Sequence, residues 1–226
     1  MLVAKRLQWV DAFRIKHTLA SQNPPMAASG FHVFLFAYGS LMAASSRMES
    51  LPDYDNARFP PRPVKLHNYR KAFSAIYANN TGFVTAEGIE STWVAYLNVE
   101  PDPGACALGV LLPLSLDQFR RLEARESGYH AVDVSRSIES VDGAILPPER
   151  VLTFCFPVGP MHDEQGSAGQ IGIGADYQRI VARACAEIDV QLGGSRCSSE
   201  FAQICDNYAR WPQLVRSNPR TAGEYR

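Results

Sequence analysis

Strand-forming and helix-forming segments are unevenly distributed along this chain, and that order restricts its fold more than any single motif. Apolar, β-rich runs at 31–38, 64–77, 93–100, 105–115, 129–140 and 150–157 read as strands. One helical pattern interrupts them after Ser115. Two more close the sequence, at 176–192 with Tyr177, Ile180, Val181, Ala184, Ile188 and Leu192, and at 198–211 with Phe201, Ile204, Tyr208 and Trp211. A parallel α/β sheet needs regular alternation of strand and helix. The order therefore predicts an α+β fold, with a small, mixed, barrel-like β-sheet and flanking helices. The turn formers of "PDPG" (101–104) make 93–115 an expected hairpin.

The 226 residues suffice for one large domain. Residues 1–30 read as an N-terminal extension and linker, 31–212 as the domain, and 213–226 as a C-terminal tail. Formal net charge is −1 with acids and bases mixed, so the basic stripe of a nucleic-acid binder is missing. No apolar stretch is long enough to cross a bilayer, and no signal-peptide core opens the chain. The five cysteines are scattered and include no C-x-x-C pair, which reads as free thiols in a reducing, cytoplasmic setting. The histidines show no metal-ligand spacing. Neither a metal nor a cofactor is expected.

The first strand runs through Phe34, Leu35, Phe36 and Ala37, then stops on Tyr38-Gly39-Ser40-Leu41. An ordinary turn fits this tetrapeptide. A binding role fits as well. Gly39 has no Cβ, so a ligand can come close to the backbone. Successive N–H groups of Gly39, Ser40 and Leu41 can cup a carboxylate, and Tyr38 would line the adjacent wall.

The internal helix opens with a capping box, Ser115 and Gln118, and its inward face is set by Leu116, Phe119 and Leu122. Helical geometry places Glu126 almost in line with Phe119, and Gly128 stops the helix. A carboxylate there is disfavoured in its charged form by burial and by the negative end of the helix dipole, and both raise its pKa. Glu123 occupies the same angular sector, so geometry alone leaves both open. Pairing of either with Arg120, Arg121 or Arg125 on a solvated face is the plainer alternative.

"AYGSL" (37–41) followed by "RESGY" (125–129), with strands at 93–115 between them, resembles the γ-glutamylcyclotransferase-like superfamily, which includes glutathione-specific ChaC enzymes, γ-glutamylamine cyclotransferases and AIG2-like proteins. The resemblance spans roughly residues 33–210. It implies that the Tyr38–Leu41 turn grips a γ-glutamyl head group and that Glu126 is the catalytic acid/base. It also implies that Tyr129 is the aromatic position after that glutamate and that Tyr177 is the binding tyrosine of a late helix. The activity it implies is cyclisation of a small γ-glutamyl substrate to 5-oxoproline, releasing an amino acid, dipeptide or amine. A non-catalytic AIG2-like binding module is the alternative of another class. "GQIGIG" (169–174) fits a loop over the pocket entrance better than a dinucleotide site.

Overall fold

The computed structural model describes residues 33–141, 150–157 and 171–217. The extension expected over 1–30 lies outside them, as do residues 218–226 of the expected tail.

Strand β1 (Val33–Ala37) leads through a 3-10 turn (Ser40–Met42) into helix α1 (Ala44–Ser50). Then follow β2 (Arg62–Ala78), β3 (Phe83–Val84), β4 (Trp93–Leu114), α2 (Leu116–Arg125), β5 (His130–Asp133), β6 (Ile138–Ser140) and β7 (Val151–Cys155). The last elements are β8 (Ile171–Gly174), α3 (Ala175–Leu192), α4 (Arg196–Asn207) and β9 (Gln213–Arg216). Among the described residues the strands form one nine-stranded mixed sheet, with the order β3-β9-β8-β4-β1-β7-β5 and with β2 joining β4 to β6. The pairs β1–β7, β4–β8 and β8–β9 are parallel, and the others are antiparallel. The α+β class with helices against a mixed sheet is thus what the chain adopts.

The hairpin expected over 93–115 is instead one continuous strand. Both halves of β4 run antiparallel to β2, from Ala78↔Trp93 to Arg62↔Leu111. "PDPG" does not reverse the chain. It is absorbed in a register shift between His67↔Cys106 and Tyr69↔Pro101. Asn68 sits opposite this bulge at φ 63, and its Oδ1 accepts from the Gly104 N–H at 3.2 Å. Turn formers bulge a strand when a long partner offers pairing on both sides of them.

Three further expectations are corrected. The strand predicted over 129–140 is two, β5 and β6, which pair with β7 and β2 respectively. Within the expected loop 169–174, Ile171–Gly174 is a buried strand between β4 and β9. Of the expected tail, Gln213–Arg216 is a sheet strand. Gly172 explains the second and third together. A Cβ there would stand 2.5 Å from Leu214 Cγ, so one of the glycines that suggested a loop makes a notch for a β9 leucine.

The main core includes Phe36, Leu66, Phe73, Leu112, Leu122 and Ile173. Helix α3 buries Val181, Ala184, Cys185 and Ile188, which recur at helical spacing. Tyr208 and Trp211 pack against the core, as the sequence predicts.

Candidate active site

Strand β4 gives one edge to β2 along its length, but its other edge is shared. Residues 93–95 pair with β8, and residues 110–114 pair with β1. Unpaired backbone groups are costly when buried, and tyrosine hydroxyls meet them in the interval between. The Leu97 N–H donates to Tyr177 Oη at 3.3 Å, and Tyr129 Oη donates to the Leu97 carbonyl at 2.9 Å. The Val99 N–H faces the hydroxyl of Tyr38, which itself donates to the Phe154 carbonyl at 2.6 Å. Three tyrosines from distant parts of the sequence thus meet at one gap in the sheet. Burial pushes all three phenols up, and each is raised further by Glu126.

The turn after Tyr38 is held from behind. Arg47, on α1, is buried, and its guanidinium donates to the carbonyls of Leu41 at 3.0 Å and Met42 at 2.5 Å. The first bonds inside the turn come from the N–H groups of Met42 and Ala43, to Gly39 and Ser40. The N–H groups of Gly39, Ser40 and Leu41 precede them and are not consumed there. The Leu41 side chain lies in the core, so only its backbone can serve the site. At Gly39 a Cβ would stand 2.9 Å from Tyr177 Oη. The close approach that requires glycine is therefore made by a tyrosine of this chain.

Helix α2 begins at the predicted capping box. It ends at Arg125, leaving Glu126 as the residue that closes it, its N–H bonded to the Leu122 carbonyl at 2.8 Å. Gly128, at φ +92, turns the chain back toward β5. The structure separates the two glutamates: Glu123 is exposed, whereas the Glu126 side chain is 22% exposed. Burial raises the Glu126 pKa, and the Arg125 guanidinium, 3.4 Å away, opposes the shift without cancelling it. Arg125 also reaches Ser40 Oγ at 3.5 Å. One side chain thus links the glutamate to the glycine turn.

An aromatic wall absent from the sequence expectations adjoins these residues. Tyr77 packs on Tyr96, Tyr129 and Phe156, and Tyr96 meets Tyr177 edge-on at 5.1 Å between centroids. Tyr77 also donates to the Ser127 carbonyl at 2.7 Å, fixing the turn beside Glu126. Phe156 is held by buried Asn98, which accepts from its N–H at 2.8 Å and donates to its carbonyl at 3.0 Å. Alternation along β2 and β4 was the signal for Tyr77 and Tyr96. Nothing local marked Asn98 or Arg47.

No cluster of three or more His, Cys, Asp or Glu able to hold a metal occurs among the described residues. None of their helices is long and apolar enough to cross a membrane. A separate groove of about 520 Å³, lined by Gln178, Arg179, Phe201 and Trp211 among others, includes none of the site residues.

No protein-family model matches the sequence, and no curated protein sequence matches it. Solved structures do. The chain is similar to a γ-glutamyl cyclotransferase at 15% identity and TM-score 0.45, over 68% of this chain and 78% of that one. It is similar to a glutathione-specific γ-glutamyl cyclotransferase from yeast at 11% identity and TM-score 0.41, over 78% and 99%. With YkqA of Bacillus subtilis the identity is 19% and the TM-score 0.54, over 88% of this chain and 60% of that one. What the chain shares with YkqA is its fold.

Proposed function

We propose that this chain is a γ-glutamylcyclotransferase-type enzyme. The substrate's own α-amino group attacks its γ-carbonyl carbon, closing a five-membered lactam and expelling the amine on the far side. Nucleophile and electrophile share one molecule, so the protein's first task is to hold that molecule folded. Well-oriented intramolecular reactions reach effective molarities of about 10⁵–10⁸ M.

The Gly39–Leu41 backbone and the Tyr38 wall bind the amino-acid head group. Tyr129 and Tyr177, anchored on Leu97, frame it. Glu126 takes the proton from the α-amino group, which has a pKa of about 7.7–8 and is mostly protonated at neutral pH. It then returns a proton to the departing amine, help typically worth about 10²–10⁴-fold. The observation that carries this reading is the half-buried, pKa-raised Glu126 joined through Arg125 to the glycine turn.

Arg125 also favours a second reading. A guanidinium against the carboxylate suits a site that only binds, as in a non-catalytic AIG2-like module. The two readings separate in an assay of 5-oxoproline release from glutathione, γ-glutamyl-alanine and γ-glutamyl-ε-lysine. Turnover of one substrate identifies the leaving amine, and hence a glutathione-specific, general or γ-glutamylamine enzyme. Saturable binding with no release from any of the three sinks the catalytic reading.

A further inference from the structure

Away from that site, Cys185 of α3 and Cys197 of α4 are both fully buried, with their sulfurs 2.8 Å apart. They lie 12 residues apart in sequence, across the turn that joins the two helices. Neither serves the chemistry proposed above. Their surroundings are unlike those of inert core thiols. The Lys71 ammonium, itself buried and paired with Glu200 at 2.9 Å, acts on both sulfurs. Cys197 is the second residue of α4, where the helix dipole favours negative charge. The Asp189 carboxylate fixes that end, accepting from the N–H groups of Cys197 at 2.7 Å and Ser198 at 2.9 Å.

The two thiols do not ionise equally easily. The hydrogen bond with Cys185 pulls the Cys197 thiol down, and the same bond pushes the Cys185 thiol up. Burial, Glu200 and Asp189 oppose ionisation of Cys197, and Lys71 supports it. The arrangement is a thiol whose ionisation is eased, in contact with a second thiol, the pairing that oxidises to a disulfide. An S–S bond is about 2.05 Å long, so closure needs less than about 1 Å of movement.

We propose that Cys185 and Cys197 form a redox-active dithiol that closes to a disulfide with a peroxide as oxidant. The Cys197 thiolate attacks one peroxide oxygen. The S–O bond forms, the O–O bond breaks, and the released hydroxide takes up a proton and leaves as water. The Cys185 sulfur then displaces the sulfenic hydroxyl. The S–S bond forms, the S–O bond breaks, and the Cys185 proton leaves with that hydroxide as a second water. Two thiols lose two electrons, and one peroxide becomes two waters. The bridge ties α3, the helix carrying Tyr177, to α4.

The test is a peptide map of the folded full-length chain after hydrogen peroxide treatment, alkylation and cleavage at arginine. Cys185 and Cys197 fall in different peptides, 184–196 and 197–210. The expected product is these two joined, lighter by two hydrogens than the separate thiols, bridged at Cys197 rather than Cys205 and restored by dithiothreitol. Cys205→Ser keeps the bridge, and Cys185→Ser and Cys197→Ser each abolish it. The map of the unsubstituted chain decides the matter even if a variant fails to fold. Recovery of both peptides as free alkylated thiols, irreversible oxidation without a bridge, or a bridge to Cys106, Cys155 or Cys205 overturns the proposal.

Discussion

Tyr177 Oη occupies the space that a side chain on Gly39 would need, 2.9 Å from the position of its Cβ. The glycine turn and the first turn of α3 are therefore fitted to each other. Tyr177 cannot retreat freely, because it is partly buried against the core and its hydroxyl accepts the Leu97 N–H. Gly39→Ala is expected to displace the hydroxyl from Leu97 while leaving the main core intact. Misplacement on the scale of 1 Å can cost about 10²-fold in rate, so kcat/KM for 5-oxoproline release should fall by about that factor. Circular dichroism should stay near the parent's. An unchanged kcat/KM would show that this contact is incidental.

Glu126→Gln removes the group that moves the proton. The expected result is a kcat lower by about 10²-fold or more, with substrate affinity retained. Stability should move the other way. A carboxyl held above its ordinary 4.5 in the fold binds more proton in the native chain than in the unfolded one between those two pKa values. Stability therefore falls as pH rises through that window. Glutamine cannot ionise, so thermal melts of the variant should lose this fall and match or exceed the parent at neutral pH.

Arg125→Gln removes the charge that holds the Glu126 pKa down. Its pKa should then rise further. Since the carboxylate must be ionised to accept a proton, the acidic limb of the kcat/KM profile should move toward higher pH. A limb that stays in place would mean that Arg125 and Glu126 are uncoupled in solution.

Asp189→Ala tests the fold rather than the chemistry. Burial works to raise this carboxyl, but hydrogen bonds from Ser198 and Cys197 outweigh it and hold the pKa below the usual 3.8. Such a group adds stability above its unfolded pKa and loses it as pH falls through its folded one. Removing this cap should cost about 1–2 kcal/mol at neutral pH, with the difference shrinking below about pH 4. Denaturant melts at two pH values check both statements.

Local chemistry made much of this legible. The Ser115–Gln118 box and the stripe from Tyr177 to Ile188 are written in neighbouring residues, and the structure places them as read, whereas the helix expected to run to Gly128 ends at Arg125. The choice of Glu126 over Glu123 was not written there. Both share a helical sector, and only the end of α2 at Arg125 turns one inward and leaves the other in solvent. The β4 hairpin was misread because "PDPG" carries turn chemistry, while its partner, the 17-residue β2, is set by long-range pairing. The strand at 171–174 was hidden for a similar reason. Its Gly172 answers to Leu214, more than forty residues downstream. Tyr77 and Asn98 act on backbone carbonyls 50 and 58 residues along the chain, which no local window contains.

The Gly172–Leu214 fit bears on the order in which the molecule can be completed. Residues 213–216 leave the ribosome after the other eight strands, yet they line β8 and help cover Phe83 and Val94. Until they emerge, a nascent chain carries an open β8 edge beside an apolar hollow, and that edge is where a stalled or prematurely ended product would adhere to its neighbours.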